Sequence, residues 1–431
     1  MAKRSRPLGL SRSRKQQKVD HSQDSKVQDN EKSTTPQLSI ELEENENADN
    51  VTVQLIGLWN TYLESTRDSD ALLNGIVNEC DTLLSNGDNK TSLVEDDQFL
   101  AVFALALSEL TIFNSNKIKE YFDDSVDIIN LFSGGKQTDL LNLVESKIIF
   151  QRIPLEYISK LEQNPNLIEV DANLKELLDS GKQKFESMQK LIANDKYRNK
   201  RFINGLIIET ISIFDDLLDI VENYGTKKNL DEGMDSEEED DDNDESNGTT
   251  AAISDIKSNH PLYDIRQQLD ACARWLRDEM IVFLEKLVSD TKEYYNISKL
   301  IGESFLKESE FFSETYLSMQ YGDDNEKMED STVEETIKAA QDEGITFVKK
   351  AIEYLDKAQD PEDPDTWAQL AEAYIDLGNL QDNESVEQEE SYNKAEEILK
   401  RANIASHNKY QHILDNLNSD ELSKDVENTN L

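Results

Sequence analysis

This 431-residue sequence lacks the residues and motifs on which most enzyme active sites depend. Its two cysteines, Cys80 and Cys272, are far apart and lack the Cys/His spacing of a zinc site, so neither zinc nor a disulfide framework is indicated. Of the four histidines only His407 and His412 are neighbours, and their spacing does not place both on one helix face. No Gly-rich phosphate loop, HExxH or GxSxG motif occurs. We therefore expect a non-enzymatic protein without cofactor or metal.

Basic residues and long apolar runs are also scarce. The 45 Lys and Arg residues stand against 90 Asp and Glu, a formal charge of -45. Such a field repels polyanions and attracts basic partners, so a whole-protein electrostatic grip on nucleic acid is not expected. The most apolar run, FLAVFALAL at 99–107, has nine residues, whereas a membrane-spanning helix needs about 20. The sequence predicts no membrane span.

The N-terminus holds the first concentration of basic residues. MAKRSRPLGLSRSRKQQKV contains no acid and has little apolar surface beyond Leu8 and Leu10, which predicts a disordered basic arm over 1–50 rather than a transit peptide. Two basic clusters around a Pro/Gly spacer are typical of a bipartite nuclear localisation signal, with a solvated tail as the alternative. The candidate residues are Lys3, Arg4, Arg6, Arg12, Arg14 and Lys15.

Beyond the arm, apolar residues recur at helical spacing with no long alternating stretch. The clearest stripe has steps of 4, 3, 4 and 3, and Gly225 follows it as a C-cap residue. Its members are Ile207, Ile211, Phe214, Leu218 and Val221. The pattern predicts an all-α fold, with an N-terminal helical array over 51–225.

An acidic segment divides the helical pattern. Asp231 to Glu245 contains eleven acids and no base, which predicts a disordered acidic linker or loop over 226–258. A C-terminal helical array follows over 259–416, and a frayed tail over 417–431. Ser236 precedes three glutamates, the surroundings that acidophilic kinases favour, and is a phosphorylation candidate.

The segment DTWAQLAEAYIDLGNLQDNESVEQEESYNKAEEIL at 365–399 fits the tetratricopeptide template, with Ala in place of the first-helix Gly. The small residues let two helices approach, and the larger ones fill the gaps. Tyr374 and Ala395 are 21 positions apart, so about a dozen residues, much of DNESVEQEE, lengthen a helix or form an acidic loop. The predicted packing residues are Trp367, Leu370, Ala371 and Tyr374 on the first helix and Ala395, Leu399 and Ala402 on the second.

Fainter matches upstream support the same interpretation. Ala351, Leu355 and Ala358 repeat the spacing of a second helix, and Ile301, Gly302 and Phe305 that of a first. We predict a tetratricopeptide-like helical repeat array, an α-solenoid; the alternative is an ordinary helical bundle that needs Trp and Ala at these positions. The first helix presents Asp365, Glu372 and Asp376, which favours a basic or neutral peptide ligand over an acidic C-terminal carboxylate.

A basic patch interrupts the acidic composition between residues 182 and 201, where seven bases meet two acids. It could contact RNA, an acidic partner or the acidic linker, and a solvated helix face is the default interpretation. The patch comprises Lys182, Lys184, Lys190, Lys196, Arg198, Lys200 and Arg201.

Several long strings resemble the fungal enhancer of translation termination family, and the resemblance covers essentially the whole chain. They are LALSELTIF (105–113), KIIFQRIPLEYIS (147–159), LLDIVENYG (217–225) and DPDTWAQLAEAYIDLGNLQDNES (363–385). The resemblance implies a nuclear protein needed for efficient stop-codon recognition, with a link to transcription regulation. It implies a prolyl-hydroxylase-like dioxygenase and release factors as partners, and no defined catalytic residues.

Three hypotheses follow from the sequence. The first is a non-enzymatic helical scaffold that promotes translation termination through protein contacts. The second is an acidic tetratricopeptide-type histone chaperone, which would retain core histones at about 0.3 M salt, where a merely electrostatic association is screened. The third is direct RNA binding by the arm and the basic patch, which charge reversal there would abolish.

Overall fold

The computed structural model describes residues 47–85, 90–163, 172–197, 200–225, 256–321 and 331–417. The regular elements in these residues are helical, no strand is present among them, and the all-α prediction is confirmed. No helix in this part of the chain is long and apolar enough to cross a membrane. The chain divides into two compact units.

The first unit spans Ile40–Lys286 and contains twelve α-helices among its described residues. They are α1 Val51–Glu64, α2 Ala71–Ser85, α3 Lys90–Leu93, α4 Asp97–Phe113, α5 Ile118–Asn130, α6 Asp139–Arg152, α7 Ser159–Gln163, α8 Leu174–Phe185, α9 Met188–Ala193, α10 Arg201–Asn223, α11 Tyr263–Arg266 and α12 Leu269–Leu284. A π-helical segment, Ile153–Ile158, joins α6 to α7. Pro154 lies in this segment. Proline has no backbone N–H, so it would interrupt the hydrogen-bond pattern of a regular α-helix at this position.

Helix α4 lies at the centre of this unit because its sequence is apolar on all sides. Every residue from Phe99 to Thr111 is buried, and α4 packs against α1, α2, α5 and α6. Asp96 caps its N-terminus by accepting hydrogen bonds from the backbone N–H groups of Gln98 and Phe99. A helix without a polar face is stable only inside a core, which is where α4 lies.

The same core holds a buried ion pair. Lys147 of α6 donates to Glu109 of α4 at an Nζ–Oε1 distance of 2.5 Å, and these side chains are 0% and 3% exposed. Gln151 and Tyr62 donate to the same carboxylate at 3.2 and 3.3 Å. Because buried charges need partners of their own, this cluster restricts which faces of α1, α4 and α6 can meet.

Helix α10 buries the apolar stripe that the sequence marks. The opposite face of α10 is exposed to solvent and includes Asp215 and Asp216. Gly225, at φ +79°, follows the helix in the left-handed conformation that favours glycine. The stripe residues are 0 to 5% exposed: Ile207, Ile211, Phe214, Leu218 and Val221.

The boundary between the units lies after Lys286, whereas the sequence predicts a C-terminal array that begins at residue 259. Helices α11 and α12 pack on α8, α9 and α10. The Trp275 ring lies edge-on to Phe185 and Phe214, with centroid distances of 5.7 and 5.1 Å. Arg266 donates to the backbone carbonyl of Glu222 at the end of α10 at 2.7 Å. These contacts place α11 and α12 in the first unit, because they cover apolar surface of that unit's core.

The second unit includes Leu287–Leu431 and forms two successive helix pairs. Helices α13 (Lys292–Tyr321) and α14 (Ser331–Lys357) run antiparallel, since Phe305 stacks on Tyr354 and Phe312 on Phe347, both at 5.7 Å between ring centroids. Gly302 permits their close approach, because a Cβ there would lie 2.7 Å from Leu355 Cγ. The second pair consists of α15 (Pro364–Leu380) and α16 (Val386–Ala405).

Candidate protein-docking site

The α15–α16 pair contains the predicted packing residues. Leu370 is 2% exposed, but it does not belong to the buried cluster between the two helices. The contact between α15 and α16 is built on alanines together with Ile375 and Leu399, so the backbones approach closely. The buried cluster at this contact includes Ala368, Ala371, Ile375, Ala395, Leu399 and Ala402, with Trp367 and Tyr374 partly buried against it.

Trp367 and Tyr374 each lie beneath a cation of α16. The Arg401 guanidinium is 4.9 Å from the Trp367 ring centroid, and Lys394 Nζ is 5.4 Å from that of Tyr374. The indole N–H of Trp367 donates to the carbonyl oxygen of Asp360 at 2.9 Å, which joins the turn before α15 to the helix pair. Both aromatic side chains therefore bridge α15 to its neighbours.

The inserted segment DNESVEQEE lengthens the second helix. Helix α15 continues to Leu380, and α16 begins at Val386 after a turn in which Glu384 has φ +61°. Ser385 caps α16 by accepting from the Gln388 backbone N–H. Gln388 in turn donates to the Gly378 carbonyl at 3.0 Å. Of the two sequence alternatives, the longer helix is the one the structure has.

The acidic face of α15 is partly used within the unit. Asp365 accepts from Lys409 Nζ and from the Tyr410 hydroxyl, both at 2.5 Å. Burial works to raise the pKa of Asp365, but the hydrogen bonds from Lys409 and Tyr410 outweigh it and lower that pKa. Burial and the neighbouring Asp365 raise the pKa of Tyr410. Asp376 remains exposed on the same helix.

Gln341 is a buried polar residue of α14 whose role is not apparent from the sequence. Its side-chain amide donates to the Leu380 carbonyl at 2.8 Å and to Asp382 Oδ1 at 3.0 Å. It thereby joins α14 to the end of α15. The apolar periodicity does not identify Gln341, because a glutamine on a helix normally lies at a solvent-exposed position.

The predicted basic patch is paired with acids of the first unit. Lys184 contacts Glu145 at 2.8 Å, and Lys196 donates to the Tyr197 hydroxyl at 2.7 Å. The remaining placements are Lys182 over the Trp275 ring, Lys190 beside Asp139, Arg201 beside Glu64, and Lys200 at the start of α10; Arg198 lies outside the described residues. A patch whose cations already have acidic or aromatic partners has less charge to offer a polyanion.

The other predicted features lie outside the described residues. These include Ser236, most of the acidic linker, the tail after residue 417 and the nuclear localisation candidates Lys3, Arg4, Arg6, Arg12, Arg14 and Lys15. Within the described ranges, no cluster of His, Cys, Asp or Glu could hold a metal ion. A cleft of about 470 Å³ beside α6 and α9 is lined by polar groups of both signs, among them Asp97, Lys136 and Asn142.

Comparison with known proteins gives consistent results over nearly the whole chain. The family described as nuclear pore complex subunit Nro1 matches residues 1–418. The protein named enhancer of translation termination 1 of Saccharomyces cerevisiae (strain S288c) is 40% identical over 96% of this chain and 99% of its own. Proteins of the same name from Vanderwaltozyma polyspora and Kluyveromyces lactis are 39% and 36% identical, each over 97% of this chain and 99% of their own. No solved structure matches.

Proposed function

The chain belongs to the Nro1 family, and from this premise we propose that it promotes translation termination as a non-enzymatic helical scaffold. The observation that carries the proposal is the near full-length similarity to yeast proteins named enhancer of translation termination 1. The α15–α16 pair supports a scaffold role, because small residues hold the helices in one geometry and leave their outer faces for partners. The family description, a nuclear pore complex subunit, supports a nuclear or pore-associated location.

The proposed partners are the prolyl-hydroxylase-like dioxygenase and the release factors of the termination machinery. The overall charge of -45 favours basic segments of these partners. A link to transcription regulation belongs to the same proposal.

Stop-codon readthrough tests the proposed function. In Saccharomyces cerevisiae without its own relative, we expect a dual reporter to show raised readthrough, and we expect expression of this chain to lower it again. A chain with Glu120→Gln, an exposed position on α5 of the first unit, serves as the control and should lower readthrough equally. Unchanged readthrough in the deletion strain, or no effect of the full chain, would contradict the proposal.

Affinity purification tests the scaffold part separately. The structure indicates a cut after Lys286 rather than at 258, since α11 and α12 belong to the first unit. We expect the full chain to retain the dioxygenase and release factors, and the chain ending at Lys286 to lose those that dock on the second unit. Equal recovery of every partner by both chains would show that the second unit does not act as the platform.

A further inference from the structure

Phe311 on α13 is exposed to an extent that the packing of the unit does not explain. Its side chain is 71% exposed, and it is the only aromatic among the large exposed apolar side chains of the described residues. An exposed aromatic ring next to ordered neighbours is a common anchor of a protein interface.

A row of rings lies directly behind Phe311 and gives it rigid support. Phe311 and Phe312 are in edge contact at 5.4 Å between centroids, and Phe312 stacks on Phe347 of α14 at 5.7 Å and 19°. Phe347 is tilted against Phe305 at 6.5 Å, which continues the row along the hairpin. A partner would therefore meet a preorganised apolar platform.

Two glutamates flank this platform, and one cation, Lys350, lies over its inner rings with its Nζ 5.4 Å from the Phe347 centroid. Glu314 follows Phe311 by three positions on α13, and Glu343 precedes Phe347 by four on α14, so each lies beside its ring on the helix surface. Both glutamates are exposed, and neither has a hydrogen bond or ion pair in the part of the chain that the structure describes. Lys307, four positions before Phe311, has a partner within the fold.

We propose that this end of the α13–α14 hairpin docks a basic amphipathic helix of a partner protein. An apolar side chain of that helix covers Phe311 and packs on the platform, and its Lys or Arg residues pair with Glu314 and Glu343. The surface is separate from the α15–α16 contact, and the inference does not depend on a role in translation termination.

Binding of a synthetic peptide to the full chain tests the proposal. The probe is a fluorescein-labelled amphipathic helix of Lys and Leu, and the control peptide has Ser in place of every Leu. By fluorescence anisotropy at about 0.15 M salt, we expect Phe311→Ala to weaken binding of the probe about 10-fold or more. Ile404→Ala is the matched control, because Ile404 is 80% exposed in the same unit, and its affinity should stay within about twofold.

Charge variants test the second half of the proposal. The double variant Glu314→Gln and Glu343→Gln should weaken binding of the probe and reduce its dependence on salt. Lys338→Gln, on the same helix as Glu343, should not weaken binding. Since these side chains are exposed, thermal unfolding of each variant should match that of the unaltered chain.

Three outcomes would overturn the proposal. Equal weakening by Ile404→Ala would show that the loss is not specific to Phe311, and equal binding of the Ser-substituted peptide would show that the overall charge of the chain accounts for binding. A dimer that Phe311→Ala converts to a monomer, measured by sedimentation, would show that a second copy occupies the surface.

Discussion

Breaking the buried ion pair should destabilise the first unit strongly and unequally. Removing one partner of a buried pair costs about 3–5 kcal/mol, because the other charge stays buried without compensation. If Lys147 is replaced by Met, Glu109 keeps hydrogen bonds from Gln151 and Tyr62. If Glu109 is replaced by Leu, the one contact that Lys147 Nζ keeps among the described residues is the Trp59 ring, with its centroid at 5.9 Å. We therefore expect Glu109→Leu at the upper end of that range and Lys147→Met at the lower.

Chemical and thermal unfolding measure this difference. For a unit of this size about 1 kcal/mol shifts the Tm by about 2–4 °C, so the single variants should lower it by about 6–20 °C. The double variant should recover most of the loss, since two apolar side chains of similar volume leave no unpaired charge. The surface pair of Lys400 and the half-buried Glu396 on α16 is the control, where Lys400→Met should cost less than about 1 kcal/mol.

The result that would refute the reasoning is a buried pair that behaves like the exposed one. If Lys147→Met and Glu109→Leu each cost no more than Lys400→Met, the cluster is wet enough to screen its charges. A double variant as unstable as the worse single variant would contradict the claim that charge, rather than shape, is at stake.

Two further predictions concern glycine substitutions in the two units and the contact of Asp365 with Lys409. Gly378→Ala should cost about 1–3 kcal/mol in urea unfolding, because a Cβ there would lie 2.6 Å from the Tyr392 ring; Gly75→Ala, with nothing within 4 Å, should be neutral or stabilising, and the reverse order would contradict the packing. Asp365→Asn should lower the Tm at pH 7. Because the folded-state pKa of Asp365 lies below its unfolded value, its contribution is present above the unfolded pKa and lost as pH falls through the folded pKa, so the variant and the unaltered chain should converge below about pH 4. A Tm difference unaffected by pH would show that Lys409 does not stabilise the carboxylate.

The features that sequence predicts best here are those that depend on a repeating local pattern. The α10 stripe is one, since steps of three and four place its members on one helix face whatever surrounds it. The small residues of α15 and α16 are another, because close helix contact requires them wherever it occurs. The sequence predicts a second helical array that begins at residue 259, because α11 and α12 have the same periodicity as the helices that follow. Only the contact of Trp275 with Phe185 and Phe214 assigns them to the first unit.

Sequence by itself determined that the chain is helical, acidic and a member of its family, because composition, periodicity and long strings of identity are properties of the chain alone. The tertiary structure decided which charges have partners. It buried Lys147 against Glu109 and engaged lysines of the basic patch with acids and rings. Among the residues that the structure describes, it gave no ion pair to Glu314, beside Phe311, or to Glu343, beside Phe347. The physical reason is that an ionic or aromatic contact depends on a distance of a few ångströms between segments far apart in sequence, and no local pattern encodes that distance.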